Sequence, residues 1–383
     1  MIFRLYKFEL CHRYLWSFLA IFFMLSQKST LSAQIKPGTI FKLFETKNEA
    51  YPNQYVKNAL RLTLRKSALD SIITLKPDNF NIQLSIPGKG LTTVFASKRT
   101  VTAPNFEVLT SDGIQHSTES YLNGMVHYDG VYNGSVKKNI ALSFFEDWMM
   151  GVLMDKDGNY DLGPIANTDG SEYVIYLSNE LAPHIEFKCH TAEPSSGHTT
   201  DNTSTSDWNC EKTFTSYLEC DFRMYQNRGN NVTNTVNFAT GIYNVTAILL
   251  DNENLNTSLS TVFVWTTNDP FSGSTNAQTI LNNFRTTRTS FTGDFAHLLS
   301  GRPINNGGVG YLDAVCNKSF AYAYSNIENN FQTFPVYSWS VNVVTHELGH
   351  NLGSPHTHSC TWPGGPIDNC FPVDDGPCAA GPA

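Results

Sequence analysis

The stretch HELGHNLGSPH, from His346 to His356, constrains this chain more than any other eleven residues in it. Imidazoles four residues apart project from one face of an α-helix about a turn from each other, the geometry that lets two of them share a metal ion. A helix is therefore predicted through His346 and His350, with Ser338 or Ser340 as its N-cap. Gly353 follows where a residue lacking Cβ can enter the left-handed region and reverse the chain, which swings His356 back as a third ligand. Three neutral imidazoles suit zinc and leave its fourth position open. Glu347, beside the first histidine, cannot face the metal from the same angle and is placed to take a proton from a metal-held water. The chemistry implied is hydrolysis of a peptide bond.

The remaining composition excludes other classes. A chain of 383 residues suggests about two domains. Its net charge of −8, with no Lys/Arg block beyond the first residues, provides no electrostatic footprint for nucleic acid. Arg4, Lys7 and Arg13 precede the apolar run LWSFLAIFFML, and Ser32 and Ala33 follow, the three regions of a signal peptide in order. Residues 1–33 are expected to be removed, leaving an exported chain without a membrane anchor, since the run is too short to span a bilayer. The seven later cysteines are an odd number in a compartment where disulfides form, so one lacks an internal partner. Cys360, Cys370 and Cys378 crowd a Pro- and Gly-rich segment, where pairing is expected with its connectivity open.

Two halves are expected. From Gln34 to about 190 the chain alternates apolar and polar residues in short runs, NIQLSIP, LTTVFAS, VHYDGVYNGSV and EYVIYL, which predicts a β-rich domain. DKDGNYD from Asp155 has an acidic spacing reminiscent of a calcium loop but puts Tyr160 where that loop needs glycine, so a hairpin turn at Asp157-Gly158 is predicted instead. AEPSSGHTTDNTSTSDW has no apolar period, and residues 191–209 form a polar linker between the halves. Beyond it, strand and helix signals alternate over 210–383. FTSYLECDFR and TVFVW are strands, Phe238, Ile242, Val245 and Leu249 fall at helical spacing, as do Ile280, Leu281 and Phe284, and GGVGYLD is a strand. DFAHLLS is predicted as a short helix capped by Asp294. The fold class expected is α/β (α+β), a mixed sheet with an active-site helix, preceded by the β-rich domain.

His346, Glu347, His350, Gly353 and His356 together match the extended zinc signature of the metzincin peptidases, and HELGHNLG resembles the reprolysin (adamalysin) branch, particularly its exported bacterial members. SYLECD at Ser216 looks like that branch's first strand, GDFAHLLS like its helix segment ahead of the rim strand, and GGVGYLDAVC like its substrate-binding edge strand. The resemblance implies a secreted, monomeric zinc endopeptidase precursor acting on proteins or peptides. It makes residues 34–190 a propeptide and Cys189 an inhibitory cysteine switch, whose thiolate fills the fourth zinc position until the linker is cut. Glu219 and Asp294 align with positions that bind calcium in some members. Thr357 stands where the branch usually places Asp. The branch's methionine turn has no counterpart after His356, the last methionine being Met224, so it is expected beyond Ala383, with the catalytic domain incomplete at its C-terminus. The competing reading is a non-catalytic binding or adhesion protein on a peptidase-like fold, or an inactive fragment.

Overall fold

The computed structural model describes residues 39–50, 56, 58–114, 116–181, 187–192, 212–327, 334–369, 371–373 and 378–382. The signal segment, most of the linker, Cys210 and Cys370 lie outside them. Residues 36–383 form one compact unit.

Ten strands build the first sheet: β1 (Ile40–Phe41), β2 (Phe44–Ala50), β3 (Leu60–Leu64), β4 (Asn79–Ile86), β5 (Gly90–Arg99), β7 (Met125–Val131), β8 (Ile140–Phe145), β9 (Met149–Asp155), β10 (Gly158–Pro164) and β11 (Glu172–Leu177). Their order is β1-β4-β5-β7-β8-β9-β10-β11-β3-β2, antiparallel except for the β1/β4 pair. The sheet curls until its two ends meet, with Thr46 Oγ1 2.7 Å from Ser85 Oγ. Inside the curl lie Leu62, Phe80, Ile82, Leu84, Tyr128 and Phe144, each worth about 1.5–3 kcal/mol as buried apolar side chains. The predicted turn joins β9 to β10, pairing Asp155 with Gly158, whose φ of 126° only glycine adopts freely.

The second sheet has six strands in the order β15-β16-β14-β12-β13-β6, with β12 (Lys212–Cys220), β13 (Leu255–Val264), β14 (Phe295–Ser300), β15 (Gly308–Gly310) and β16 (Tyr322–Asn326). All pairs are parallel except β15/β16. Its last member, β6 (Thr102–Thr110), comes from the N-terminal half and lies parallel to β13, with Val108 opposite Val262. The predicted helix over DFAHLLS is corrected to strand β14. Residues 295–300 are all buried between β12 and β16, and Asp294 accepts from the Thr215 N–H and hydroxyl instead of capping a helix. A short apolar run buried on both faces carries no period that separates strand from helix.

The helices are α1 (Lys66–Leu75), α2 (Thr118–Asn123), α3 (Phe222–Asn227), α4 (Val232–Asp251), α5 (Ala277–Thr287) and α6 (Tyr337–Asn351). Helix α4 is buried along nearly its whole length, Thr235 to Ile248. It lies between the two sheets, so a polar face would meet no water. Leu218, Phe238, Ile242 and Val262 of the C-terminal half share one apolar core with Phe106, Val108, Phe145 and Met150 of the N-terminal half. The course of the chain divides at the linker; its packing does not.

Candidate metal centre

Helix α6 carries His346 and His350 one turn apart and is capped at Leu352, and Gly353, with φ 94°, turns the chain back to His356. His346 Nε2 lies 3.0 Å from His350 Nε2. Cys189, arriving from the other half, places Sγ 3.3 Å from His350 Nε2. Nitrogen and sulfur atoms of these four residues all lie within 4.8 Å of one another, the one such group of metal-ligand type among the described residues. Donors bound at roughly 2.0–2.3 Å in a tetrahedron stand about 3.3–3.8 Å apart, and the observed separations, from 3.0 Å to no more than 4.8 Å, bracket that spacing.

The protonation pattern fits as well. His350 Nδ1 donates to the Ser354 carbonyl at 2.7 Å, which fixes the tautomer and leaves the Nε2 lone pair facing the cluster. Burial, with the neighbouring imidazoles adding to it, pushes His346 down to about 3; burial pushes His350 down to about 4, so both rings are neutral at ordinary pH, the form in which imidazole can bind a metal. Burial and then the Glu347 carboxylate push the Cys189 thiol up to about 12, and burial raises Glu347 well above the usual carboxylate range. An added cation would reverse both trends.

Glu347 is fully buried; its Oε2 lies 3.4 Å from the Thr191 hydroxyl and 3.9 Å from Cys189 Sγ, while Oε1 has no partner among the described residues. A buried carboxylate oxygen left unpaired beside three imidazoles suits a group that holds and deprotonates a water. Lys188 to Thr191 run alongside β15. The His190 N–H donates to the Gly308 carbonyl at 3.0 Å, the Gly308 N–H to the Lys188 carbonyl at 3.1 Å, and Thr191 Oγ1 bonds both Gly310 N and O. The Phe187 ring packs edge-on to His346, with centroids 4.7 Å apart.

The other candidates separate. Glu219 is buried on β12 and accepts from Arg288 Nε at 2.6 Å, Trp265 Nε1 at 2.7 Å and the Tyr217 hydroxyl at 2.9 Å. Asp294 bonds Thr215, four residues back along the same strand, or roughly 13 Å at ~3.3 Å per residue. The structure does not bring these two carboxylates into one calcium site. His297 is buried on β14 with Nε2 2.7 Å from Ser325 Oγ, and His358 stacks on His356 at 5.0 Å. Both stand outside the metal-ligand group. Cys360 pairs with Cys378, tying down the segment after the third histidine. The spacing argument missed Thr191 and Phe187; GGVGYLD was expected as an edge strand and Gly308 lies in it, but the contact of Gly308 with Glu347 had no local signal beyond the glycine pair, a mark of close backbone approach.

Residues 210–382 match the family model Reprolysin_5 of metallo-peptidase family M12. Among curated proteins, disintegrin and metalloproteinase domain-containing protein 1a of Mus musculus is 26% identical over 284 residues, covering 70% of this chain and 35% of its own length. Protein 1b of the same organism matches at 26% over 70% of this chain and 34% of its own, and protein 1 of Rattus norvegicus at 26%, over 70% and 35%. The chain thus spans about a third of the relatives it matches. A crystal structure of metalloproteinase-II from Bacteroides fragilis aligns with a TM-score of 0.39 at 11% identity, over 73% of this chain and 81% of that one.

Proposed function

Because residues 210–382 form a reprolysin-like metallopeptidase domain of family M12, we propose that this chain is the latent precursor of a secreted zinc endopeptidase. In this reading His346, His350 and His356 hold the ion, Cys189 occupies its fourth position, Glu347 is the general base, residues 34–190 are the propeptide, and the protein works as a monomer. The observation that carries it is the convergence of Cys189, from the far half of the chain, on the three histidines within 4.8 Å. The Cys360–Cys378 disulfide suits an oxidising compartment, and no helix among the described residues is long and apolar enough to cross a membrane.

Bound zinc supplies the charge that acidifies a water and polarises a peptide carbonyl. The chain's own residues do the rest. Glu347 takes the water's proton at its unpaired Oε1 and returns it to the leaving amine. Gly308 and Gly310 offer backbone N–H and C=O groups to an extended substrate, the groups that Lys188, His190 and Thr191 occupy in the latent form. That segment lies parallel to β15 through the Cys189/Gly308 bridge, so it covers the cleft while its sulfur covers the metal position.

The test is hydrolysis of a quenched-fluorescence peptide by the zinc-loaded full chain before and after treatment with an organomercurial thiol reagent. Hydrolysis is expected to rise on treatment, and Glu347→Ala is expected to remove it while zinc stays near one ion per chain. A Glu347→Ala protein that still hydrolyses the peptide refutes the assignment of the base, and a thiol-blocked chain that stays silent refutes the switch.

A further inference from the structure

Helix α6 begins at Tyr337, and Val336 before it supplies no side-chain cap. Neither serine predicted to cap it does so: the Ser338 hydroxyl is itself a donor. The cap comes from the other sheet. Asp161, on β10 and 1% exposed, accepts the Ser338 N–H at 3.0 Å and the Ser338 hydroxyl at 2.7 Å on Oδ1, and the Tyr337 N–H also bonds its carboxylate. On the next strand the Tyr176 hydroxyl donates to the Pro335 carbonyl, two residues before the helix. Gly163, two residues along β10, is bare because Tyr337 fills its place: a Cβ there would lie 2.4 Å from the Tyr337 hydroxyl oxygen. These contacts hold the start of the helix, and Cys189 meets it roughly three turns later, at His350.

We propose that Asp161 is a positioning residue for the metal-binding helix, and that it grips the C-terminal half through that helix independently of Cys189. The inference rests on the zymogen reading only in taking α6 as the helix that bears the ligands. Side-chain oxygens at the first-turn N–H groups satisfy donors that have no partner within a helix, and do so whether or not the carboxyl is ionised. Supplied from another sheet, the same bonds fix where the helix starts, and so where His346 and His350 stand. A cut in the linker alone then leaves two chains joined by this cap, by the β6/β13 pairing and by the shared core.

The cap also has a proton signature. Burial pushes Asp161 up to about 7. The titratable and charged groups around it are Tyr176 on β11 and Tyr337 on α6, with Tyr173 and Arg228 beyond Tyr337. Burial holds Tyr173, Tyr176 and Tyr337 protonated far above neutral, and it lowers Arg228 only to about 10, so Asp161 alone among them titrates between pH 4 and 8. A group held protonated to higher pH in the assembled state than in the released one favours assembly at low pH and loses that contribution as pH rises through 7.

The experiment uses the full chain with a recognition site for a sequence-specific protease inside residues 195–205, on the Cys189→Ser background so that the thiol plays no part. After cutting, the two pieces are expected to co-elute in size exclusion, with a dissociation constant between about tenfold and a hundredfold higher at pH 8 than at pH 5. Asp161→Asn keeps an acceptor for the Ser338 N–H and should keep the pieces together with that pH step flattened; Asp161→Ala should weaken their grip tenfold or more at pH 5. Tyr176→Phe, which removes the bond to the Pro335 carbonyl and the 3.5 Å bond to Asp161 Oδ2, should weaken the grip and, by taking a donor from the carboxylate, move the pH step upward without flattening it. Pieces that separate as soon as the linker is cut overturn the proposal, as does a pH step that survives Asp161→Asn. A failure of the switch alone would leave co-elution on this background untouched.

Discussion

Gly308 sits against the side chain of Glu347, and replacing it by alanine is a direct way to move the proposed base without touching it. Its φ does not lie in the left-handed region, so the backbone tolerates a side chain; the obstacle is space. A Cβ built on it would lie 2.5 Å from Glu347 Oε1, 2.6 Å from Cγ and 2.8 Å from Cδ. Ordinary contact begins near 3.4 Å, so the carboxylate must retreat by close to an ångström. Overpacking of this kind costs about 1–3 kcal/mol of stability. A reacting group displaced by ~1 Å costs about 10²-fold in turnover. The ligand positions are not affected, since His346 and His350 are set by α6 rather than by the Glu347 rotamer. In linker-cut, thiol-blocked enzyme we expect Gly308→Ala to retain its zinc, to melt a few degrees lower, and to hydrolyse a peptide about 10²-fold more slowly. Turnover equal to wild type at equal zinc content would refute the packing argument.

Two other substitutions separate packing from chemistry. Gly349 lies inside α6 between the first two candidate ligands, and a Cβ there meets nothing within 4 Å among the described residues, so Gly349→Ala should raise stability by about 0.5–1 kcal/mol in a thermal melt, through helix propensity alone. Arg288 neutralises the wholly buried Glu219, so Arg288→Ala should cost about 3–5 kcal/mol by denaturant titration, and adding Glu219→Gln should recover part of the loss because the uncompensated charge is gone.

Local pattern was enough where a face or a spacing carried the information. The alternation in NIQLSIP and EYVIYL became strands β4 and β11, the spacing of Ile280, Leu281 and Phe284 became the buried face of α5, and the histidine spacing became a cluster of facing imidazoles. It failed where the deciding partner is distant. FAHLLS is helix or strand depending on whether strands flank it, and only the fold supplies β12 and β16. TAPNFEVLT carries Pro104 and has weak alternation, so it gives little sign of a strand; it becomes β6 at the edge of the sheet beside β13, some 150 residues on, with Pro104 in the irregular stretch between the paired residues Thr102 and Glu107, where no ladder bond is lost. The cap of α6 lies 177 residues away, whereas a local pattern offers only the serines of the helix's own first turn. The contact between Gly308 and Glu347 has the same cause: it joins a strand to a helix that no local window spans.

Strand β6 has a kinetic consequence. It is synthesised well before β13, and loop closure over such a span is slow compared with the closing of the β12/β13 crossover. The N-terminal half can complete its own curled sheet during synthesis, with β6 held ready beside it. The C-terminal half is then expected to assemble upon that surface as it emerges, so that collapse of the second sheet would be templated rather than searched for. An isolated C-terminal half would lack this template and present the β13 edge bare, a strand-pairing surface open to its own copies.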